Sequence, residues 1–275
     1  MSGEPLSPRS IRRFQVMVYR HYHNDPRSLP WRKTRRPYRI LVSEIMLQQT
    51  RAERVREKYG PFLRAFPDFA SLARAPLHAI LKAWKGMGYN RRAIALKGLA
   101  GIVTEKWKGK LPDSEDELLK LPGIGKYSAS AILAFALNKP TVFVETNIRR
   151  VFIHLFFKDR EEIRDSEILP LVEKTLDRSN PRQWYYALMD YGVMLRGKTE
   201  NPNRRSAHYK KQPPFEGSDR QVRGLILTLV LRRPGITKQA IIRRLARERL
   251  TIERNLSALQ KEGFIKKQGK GFWIG

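Results

Sequence analysis

Residues 121–147 read LPGIGKYSASAILAFALNKPTVFVETN and contain a short break between two helical patterns. Pro122, Gly123 and Gly125 make this break, because glycine reaches backbone angles that other residues avoid and lets a second molecule approach closely. Apolar residues then recur at helical spacing, at Ala129, Ile132, Leu133 and Ala136. The stretch therefore predicts a hairpin between two helices.

The second helix of this hairpin begins near Lys126, which places Gly123, Gly125 and Lys126 at its N-terminus. The free amides and the positive dipole end of such an N-terminus favour a phosphate. Beyond this helix a polar segment carries one carboxylate, one amide and two basic groups, at Glu145, Asn147, Arg149 and Arg150. We interpret the whole stretch as a device that grips a nucleic-acid backbone and places a carboxylate beside it.

The charge of the chain supports this interpretation. The 275 residues include 55 Lys and Arg against 26 Asp and Glu, a formal net charge of +29 that is spread over the whole length. Such a surface repels itself unless polyanions screen it, so nucleic acid is the expected partner. There are no cysteines, which excludes disulfides, cysteine-ligated zinc, iron–sulfur clusters and thiol nucleophiles.

Hydropathy argues against a membrane protein. No run approaches the eighteen or so apolar residues of a membrane span, and the N-terminal MSGEPLSPRS lacks the apolar core of a secretion signal. We expect a monomer in the cytoplasm, associated with the nucleoid.

Apolar periodicity predicts helices throughout the first 195 residues, including one over 38–50, and no segment there alternates like a strand. Residues 196–218 are rich in Gly, Pro, Asn, Lys and Arg without apolar periodicity, as in a linker or basic loop. Three further helical patterns and two short strands around a glycine turn follow. The sequence thus predicts a mainly α protein with domain 1–195, linker 196–218 and a small C-terminal winged helix, 219–275.

The predicted winged helix carries basic residues where such domains meet DNA. Arg254 and Asn255 lie on its third helix, and Lys266, Lys267 and Lys270 lie in the wing. This layout suits phosphate contacts. Winged helices also bind proteins, and that alternative stays open.

The hairpin residues Leu121–Tyr127 resemble the helix-hairpin-helix DNA glycosylase superfamily. Further matches are with its adenine DNA glycosylase (MutY) family: LPWR at 29–32, SEIMLQQT at 43–50, residues 84–89 and ALMDYG at 187–192. The resemblance covers about residues 10–195. It implies a helix-hairpin-helix glycosylase fold and a base excision repair enzyme that flips out a mispaired or modified base in double-stranded DNA and removes it by hydrolysis.

Glu44 is the predicted general acid. A departing purine must be protonated, and a carboxyl group kept neutral by apolar neighbours can supply the proton. Glu44 lies among Ile40, Leu41, Ile45 and Leu47, which would raise its pKa. The alternative is a solvent-facing glutamate on a helix.

Glu145 is the predicted second carboxylate. Loss of the base leaves an oxocarbenium-like sugar, which an ionised carboxylate can stabilise or capture. The resembling families usually carry aspartate here, so the longer glutamate alters the reach of the charge. The resemblance implies that Asn147 hydrogen-bonds a catalytic carboxylate or the DNA backbone. Glu145 could instead be only a glutamate at a helix N-terminus.

Tyr127 occupies the position where bifunctional relatives such as endonuclease III carry a lysine that forms a Schiff base with the sugar. Tyrosine cannot do this, and the neighbouring Lys126 is rotated by about a quarter turn on the helix. We therefore expect a monofunctional glycosylase that leaves an abasic site.

The resemblance also implies roles for residues that contact DNA. Gln48 and Gln49 would fill the gap left by the flipped base, and Tyr89 would probe the opposite strand; each could equally be ordinary surface. Backbone carbonyls of Leu119, Leu121 and Ile124 would hold Na⁺ or K⁺. No other cofactor is implied.

Two departures from the family bear on the substrate. The four cluster-binding cysteines are missing after residue 192, and the chain has the predicted winged helix in place of the Nudix-like domain that recognises 8-oxoguanine. Adenine is the expected base. Thymine or uracil opposite guanine, or a modified cytosine, is the alternative, and a DNA-binding regulator on an inactive scaffold is a third interpretation.

Overall fold

Helices dominate the computed structural model, which describes residues 6–198 and 200–275. In chain order they are α1 (Pro8–Asn24), α2 (Pro37–Leu47), α3 (Ala52–Ala65), α4 (Phe69–Arg74), α5 (Leu77–Trp84), α6 (Arg91–Trp107), α7 (Glu115–Leu119), α8 (Lys126–Leu137), α9 (Thr146–Phe156), α10 (Asp165–Thr175), α11 (Pro181–Lys198), α12 (Asp219–Arg232), α13 (Lys238–Leu245) and α14 (Arg249–Lys261). The strands are β1 (Ile236–Thr237), β2 (Ile265–Gln268) and β3 (Gly271–Ile274). The predicted mainly α fold class is confirmed. Among the described residues, no helix is both long and apolar enough to cross a lipid bilayer.

The chain forms two structural units. Unit 1 comprises Met1–Glu44 and Leu111–Lys211, and unit 2 comprises Ile45–Lys110 and Gln212–Gly275. These units cut across the boundaries predicted from sequence, because residues 45–110 group with the C-terminal segment. The division into domains 1–195 and 219–275 remains a prediction about sequence modules.

Unit 1 has a core of aromatic rings where α1, α9 and α11 pack together. The apolar stripe predicted for α1 buries Phe14 and Val18. The Phe14 ring meets the edges of Phe152 and Trp184, with ring centroids 5.6 Å apart in both pairs. Edge-to-face pairs of this kind add to the stabilisation from burial alone.

The predicted hairpin is present in unit 1. Helix α7 begins at the N-cap Ser114, and α8 begins after Gly125. Between them Gly123 adopts a φ of 82°, which glycine reaches without strain. Residues 128–136 of α8 are all buried, and the small side chains among them, serines and alanines, let neighbouring helices pack closely on every side.

Unit 2 contains α3 to α6 and the C-terminal segment, residues 212–275. In this segment α12, α13 and α14 surround an antiparallel sheet with strand order β1-β3-β2. The predicted hairpin pairs Ile265 with Ile274 and Gln268 with Gly271. The Glu262 carboxylate joins the segment to α6 by accepting hydrogen bonds from Arg91 at 2.7 and 2.8 Å and from Arg223 at 2.6 and 3.0 Å.

Two local predictions need correction. The helix predicted to reach residue 50 ends at Leu47, because Gln49 takes a left-handed conformation with φ 52°. Part of the predicted linker is ordered structure, since α11 continues to Lys198 and Asn203 is buried. The Asn203 side chain donates a hydrogen bond to the Thr146 carbonyl at 2.9 Å, which holds this stretch on the start of α9.

Candidate active site

Glu44 is a buried carboxyl group in unit 1, only 5% exposed. It lies on α2, whose neighbouring residues Ile40 and Leu41 are also buried. The pKa of Glu44 is raised to about 8, mainly by burial and also by the nearby charge of Glu145. A hydrogen bond from the Tyr127 hydroxyl at 3.4 Å acts in the opposite direction. Glu44 is therefore protonated at neutral pH.

Tyr127 is held in place by a row of aromatic rings in unit 1. Its ring meets the Phe143 ring edge-on at 5.6 Å, and Phe143 stacks on Tyr185 at 4.0 Å. The Tyr185 hydroxyl donates to the Thr141 carbonyl at 2.7 Å, which anchors the row. Burial and the two nearby carboxyl groups raise the pKa of Tyr127 well above its ordinary value, so its hydroxyl keeps its proton and can donate a hydrogen bond to Glu44.

Glu145 is the N-cap of α9. One carboxylate oxygen accepts from the backbone amides of Asn147 at 2.7 Å and Ile148 at 2.8 Å, and the other accepts from the Asn147 side chain at 3.1 Å. The pKa of Glu145 is raised overall, because the effect of burial exceeds the opposing effects of the two amides and the guanidinium of Arg150. With three N–H donors against the single hydroxyl at Glu44, Glu145 is the better placed of the two to carry the negative charge.

Asn147 is fixed by contacts that the sequence did not predict, with Arg150 and with Gly192. The Arg150 guanidinium donates to the Asn147 side-chain oxygen and to the Gly192 carbonyl, both at 2.7 Å. A Cβ atom at Gly192 would lie 2.4 Å from the Asn147 carbonyl oxygen, so α11 can approach α9 this closely only with glycine. The one available signal was that Gly192 belongs to the ALMDYG segment quoted for the family resemblance.

A second missed element is a buried ion pair in the same unit. The Arg32 guanidinium binds both oxygens of Asp190 at 2.7 and 2.8 Å and lies 4.6 Å from the centre of the Tyr186 ring. Asp190 also accepts from the Arg27 amide at 3.1 Å. Such a pair is strongly destabilising when only one partner is removed, because the other is left as an uncompensated buried charge. It joins LPWR to ALMDYG, the two segments of the resemblance farthest apart in sequence.

Unit 2 holds the residues predicted to contact the two DNA strands. Gln48, Gln49 and Tyr89 line one cavity of about 940 Å³. Their loops are tied together by Arg92, which donates to the carbonyls of Met46 at 2.9 Å, Gly88 at 3.1 Å and, more closely, Gln48. Burial lowers the pKa of Arg92 to about 10, so it remains charged at neutral pH. Its role could not be predicted from sequence, because its partners are mainly backbone atoms.

At the hairpin, Gly123, Gly125 and Lys126 are exposed, as a phosphate contact requires. The Leu121 carbonyl accepts from the Ile124 amide at 3.2 Å and keeps a second lone pair. Carbonyl oxygens are the ligands that hard cations prefer, so Leu119, Leu121 and Ile124 fit the predicted Na⁺ or K⁺, which stays a prediction. Within residues 6–198 and 200–275, no group of three or more His, Cys, Asp or Glu could hold a metal ion.

The other residues predicted to contact DNA differ in exposure and in whether they already form ion pairs. Arg149 pairs with Asp165 through two hydrogen bonds of 2.6 and 2.7 Å. Arg254 is exposed but pairs with Asp219 at 2.8 Å, and Asn255 is buried. Lys266 and Lys267 lie exposed on β2. The lysines therefore match the prediction best, and a DNA role for the two arginines would require exchange of their ion pairs.

The fold and this site together define a helical protein with an acid–base centre. Its first carboxyl group is kept neutral by burial, its second is stabilised by a helix N-terminus, and a tyrosine hydroxyl contacts the first. This is the arrangement of an enzyme that protonates a leaving group beside a centre of developing positive charge.

Comparisons with known proteins identify the family. Residues 42–174 match the model described as "HhH-GPD superfamily base excision DNA repair protein". The chain is 31% identical over 185 residues to a thymine/uracil-DNA glycosylase of Methanothermobacter thermautotrophicus, covering 66% of this chain and 84% of that protein. It belongs to the HhH-GPD superfamily.

Two further relatives come from the same comparisons. An adenine DNA glycosylase of Buchnera aphidicola subsp. Baizongia pistaciae is 36% identical over 186 residues, which cover 66% of this chain and 52% of the relative. The chain thus spans about half the length of that relative. The structure of a thermostable thymine-DNA glycosylase matches with a TM-score of 0.60 and 30% identity, over 67% of this chain and 86% of the other.

Replacing Glu44 with glutamine is expected to stabilise the protein at neutral pH. Because burial raises the folded-state pKa above the unfolded value, the unfolded state loses its proton first, and wild-type stability falls as the pH rises from about 4.5 to 8. The uncharged amide of the Glu44→Gln variant escapes this loss, which is on the order of 3 kcal/mol at pH 7. Urea unfolding between pH 4 and 8 measures the difference. Glu161→Gln is the exposed control: it keeps Glu44, so its stability should follow that of the wild type at every pH. A Glu44→Gln variant that likewise follows the wild type would contradict a neutral Glu44.

Replacing Gly192 with alanine is expected to lower the free energy of unfolding by about 1–3 kcal/mol, because the new methyl group overlaps the Asn147 carbonyl. Gly197 provides a matched control on the same helix, since a Cβ there meets nothing within 4 Å. Gly197→Ala should be neutral or slightly stabilising. Chemical denaturation measures both, and equal stability of the two variants would refute the close approach of α11 to α9.

Proposed function

We propose that this protein is a monofunctional DNA glycosylase of base excision repair, which hydrolyses the bond between a mispaired base and its sugar. The observation that carries the proposal is the burial of Glu44, with its pKa raised to about 8, next to Tyr127 and the second carboxyl group of Glu145. Membership of a superfamily of base excision repair proteins supports it.

In the proposed reaction Glu44 gives its proton to the departing base. A purine leaves readily only when a ring nitrogen is protonated, and an acid with a pKa near the working pH is the most effective donor. The Tyr127 hydroxyl orients the carboxyl group through its hydrogen bond. After transfer, the same hydrogen bond stabilises the Glu44 carboxylate.

Glu145 then stabilises the sugar. As the bond to the base breaks, positive charge develops on the sugar ring, and an ionised carboxylate lowers the energy of that state. The amides of Asn147 and Ile148 orient Glu145 and favour its charged form. A water molecule completes the hydrolysis, leaving an abasic site.

The base is proposed to be adenine. The relative at 36% identity is named an adenine DNA glycosylase, whereas the relative at 31% is named a thymine/uracil-DNA glycosylase. The second relative and the structural match to a thymine-DNA glycosylase support thymine or uracil opposite guanine as the second candidate. A modified cytosine remains a third substrate class within the same chemistry.

DNA binding is proposed to use the hairpin and the C-terminal segment. The amides at Gly123, Gly125 and Lys126 would grip a phosphate, with Na⁺ or K⁺ on the neighbouring carbonyls as the only inorganic partner. The C-terminal segment would act as a winged helix, with Lys266 and Lys267 on phosphates. We expect a monomer that works at the nucleoid, in the cytoplasm.

A DNA-binding regulator on an inactive scaffold is the non-enzymatic alternative. The buried Glu44 argues against it, because a carboxyl group in an apolar environment lowers the stability of the fold, and a protein without catalytic activity has no need of it. In a scaffold without an enzymatic role, an apolar or amide side chain at this position would make the fold more stable.

Excision assays on a panel of duplexes test the proposal. The panel pairs adenine with 8-oxoguanine or guanine, thymine or uracil with guanine, and modified cytosines with guanine; alkali then cleaves abasic sites. We expect adenine release that declines above about pH 8, as Glu44 loses its proton. Glu44→Gln should lower the rate by roughly 10²- to 10⁴-fold.

The panel also separates the alternatives. Release of a pyrimidine alone would contradict the adenine assignment but would still support the proposed glycosylase reaction. No release from any duplex would favour the regulator.

Borohydride trapping tests the monofunctional assignment. Because Tyr127 cannot form a Schiff base, we expect no stable adduct with DNA under conditions in which the base is released. Tyr127→Lys supplies the missing amine and is the matched positive control for adduct formation. An adduct with the wild-type protein that disappears in Lys126→Ala would show that Lys126 performs the lyase chemistry.

A further inference from the structure

The cavity in unit 2 is built partly by the C-terminal segment. Its volume of about 940 Å³ is enough for a nucleotide. One wall comes from the loops at 48–49 and 85–92, and the other from residues of the C-terminal segment, among them Gln212, Phe215 and Arg220. Neither part of unit 2 forms this cavity alone.

The C-terminal segment fixes the aromatic ring in the cavity. The Tyr89 hydroxyl accepts a hydrogen bond from Arg220 at 2.9 Å and a closer one from the Gln212 side chain. The Arg220 guanidinium also lies 5.7 Å from the centre of the Tyr89 ring. Tyr89 has a φ of 45°, an uncommon conformation for a tyrosine that persists only where surrounding contacts determine it.

The charges of the wall favour an anion. Within the described residues, the wall contains no aspartate or glutamate, and Glu262 balances Arg91 and Arg223 from outside it. The partners of Arg220 are the neutral Tyr89 hydroxyl and the Pro213 carbonyl at 2.8 Å, so its charge is left to be balanced by a ligand. A phosphate group fits this need.

The remaining groups suit a nucleobase. The 60% exposed Phe215 offers an aromatic surface, on which bases stack regardless of sequence. Gln48, Gln49 and Gln212 offer amide donors and acceptors for the edge of a base. An exposed aromatic ring, amides and an unbalanced arginine together select a nucleotide over an apolar ligand.

The family resemblance implies that Gln48, Gln49 and Tyr89 meet the nucleotide left unpaired when its partner base leaves the duplex. We propose that Phe215, Arg220 and Gln212 of the C-terminal segment complete this site and bind the same nucleotide. The inference rests on the proposed function for its ligand, because excision of a flipped base creates an unpaired partner. The segment then serves as the reader of the opposite strand as well as a contact for the DNA backbone.

Binding to two inert duplexes tests this assignment. Both carry a tetrahydrofuran abasic analogue, opposite guanine in the first duplex and opposite a second analogue in the other, so only the first has an unpaired base. Fluorescence anisotropy at one fixed salt concentration gives the ratio of the two dissociation constants. We expect the wild-type protein to prefer the unpaired base by about tenfold, the effect of stacking one base.

Variants of the C-terminal segment separate this site from general DNA affinity. Phe215→Ala and Arg220→Gln should bring the ratio close to one. The matched controls Leu250→Ala and Arg243→Gln, which alter exposed residues of the same segment outside the cavity wall, should keep the tenfold ratio. Because Phe215 is largely exposed, its replacement should leave the melting temperature unchanged.

A wild-type ratio of one, or an unchanged ratio in Phe215→Ala and Arg220→Gln, would overturn the assignment. Neither duplex requires excision, so the outcome is independent of catalysis. A protein that releases no base from the panel but shows the expected ratios would refute the proposed function and retain this site. A protein that excises a base but does not prefer the duplex with the unpaired base would support the proposed function and refute this site.

Discussion

The burial of one carboxyl group governs the chemistry of this protein. Glu44 lies on α2 among apolar side chains, and the desolvation of its charged form raises its pKa to about 8. The second carboxyl group, Glu145, meets the start of α9 and receives three N–H donors. Burial raises the pKa of both carboxyl groups, but the N–H donors at Glu145 oppose the rise there, which favours Glu44 as the acid and Glu145 as the carrier of negative charge.

The family resemblance implies an aspartate at the position of Glu145, and the structure shows how a glutamate fits there. Aspartate is among the preferred N-cap residues, whereas glutamate is not, because its extra methylene must fold back to reach the helix amides. Here Glu145 does reach them, at 2.7 and 2.8 Å. The N-cap role and the proposed catalytic role of this residue are therefore compatible, since the amides that cap the helix also hold the carboxylate in place.

Helices and the hairpin could be predicted from the sequence, whereas contacts between residues far apart in the chain could not. Apolar periodicity and glycine placement predicted the hairpin, and the family motifs singled out Glu44, Tyr127, Glu145 and Asn147, which unit 1 brings together. Arg92 was missed because it acts mostly on backbone carbonyls. The contact of Arg150 with the Gly192 carbonyl was missed because the two residues lie far apart in the chain. The grouping of residues 45–110 with the C-terminal segment depends on contacts such as the one between Arg91 and Glu262, which local patterns cannot predict.

The protonation state of Glu44 is the central claim, and a direct titration tests it. Carbon-13 NMR of the protein labelled at the glutamate carboxyl carbons, with Glu44→Gln to assign the resonance, would follow this group from pH 4 to 9. The account predicts a midpoint near pH 8, with Glu44 neutral at pH 7. A midpoint close to the ordinary value of about 4.3 would show that Glu44 is charged at neutral pH and cannot be the acid.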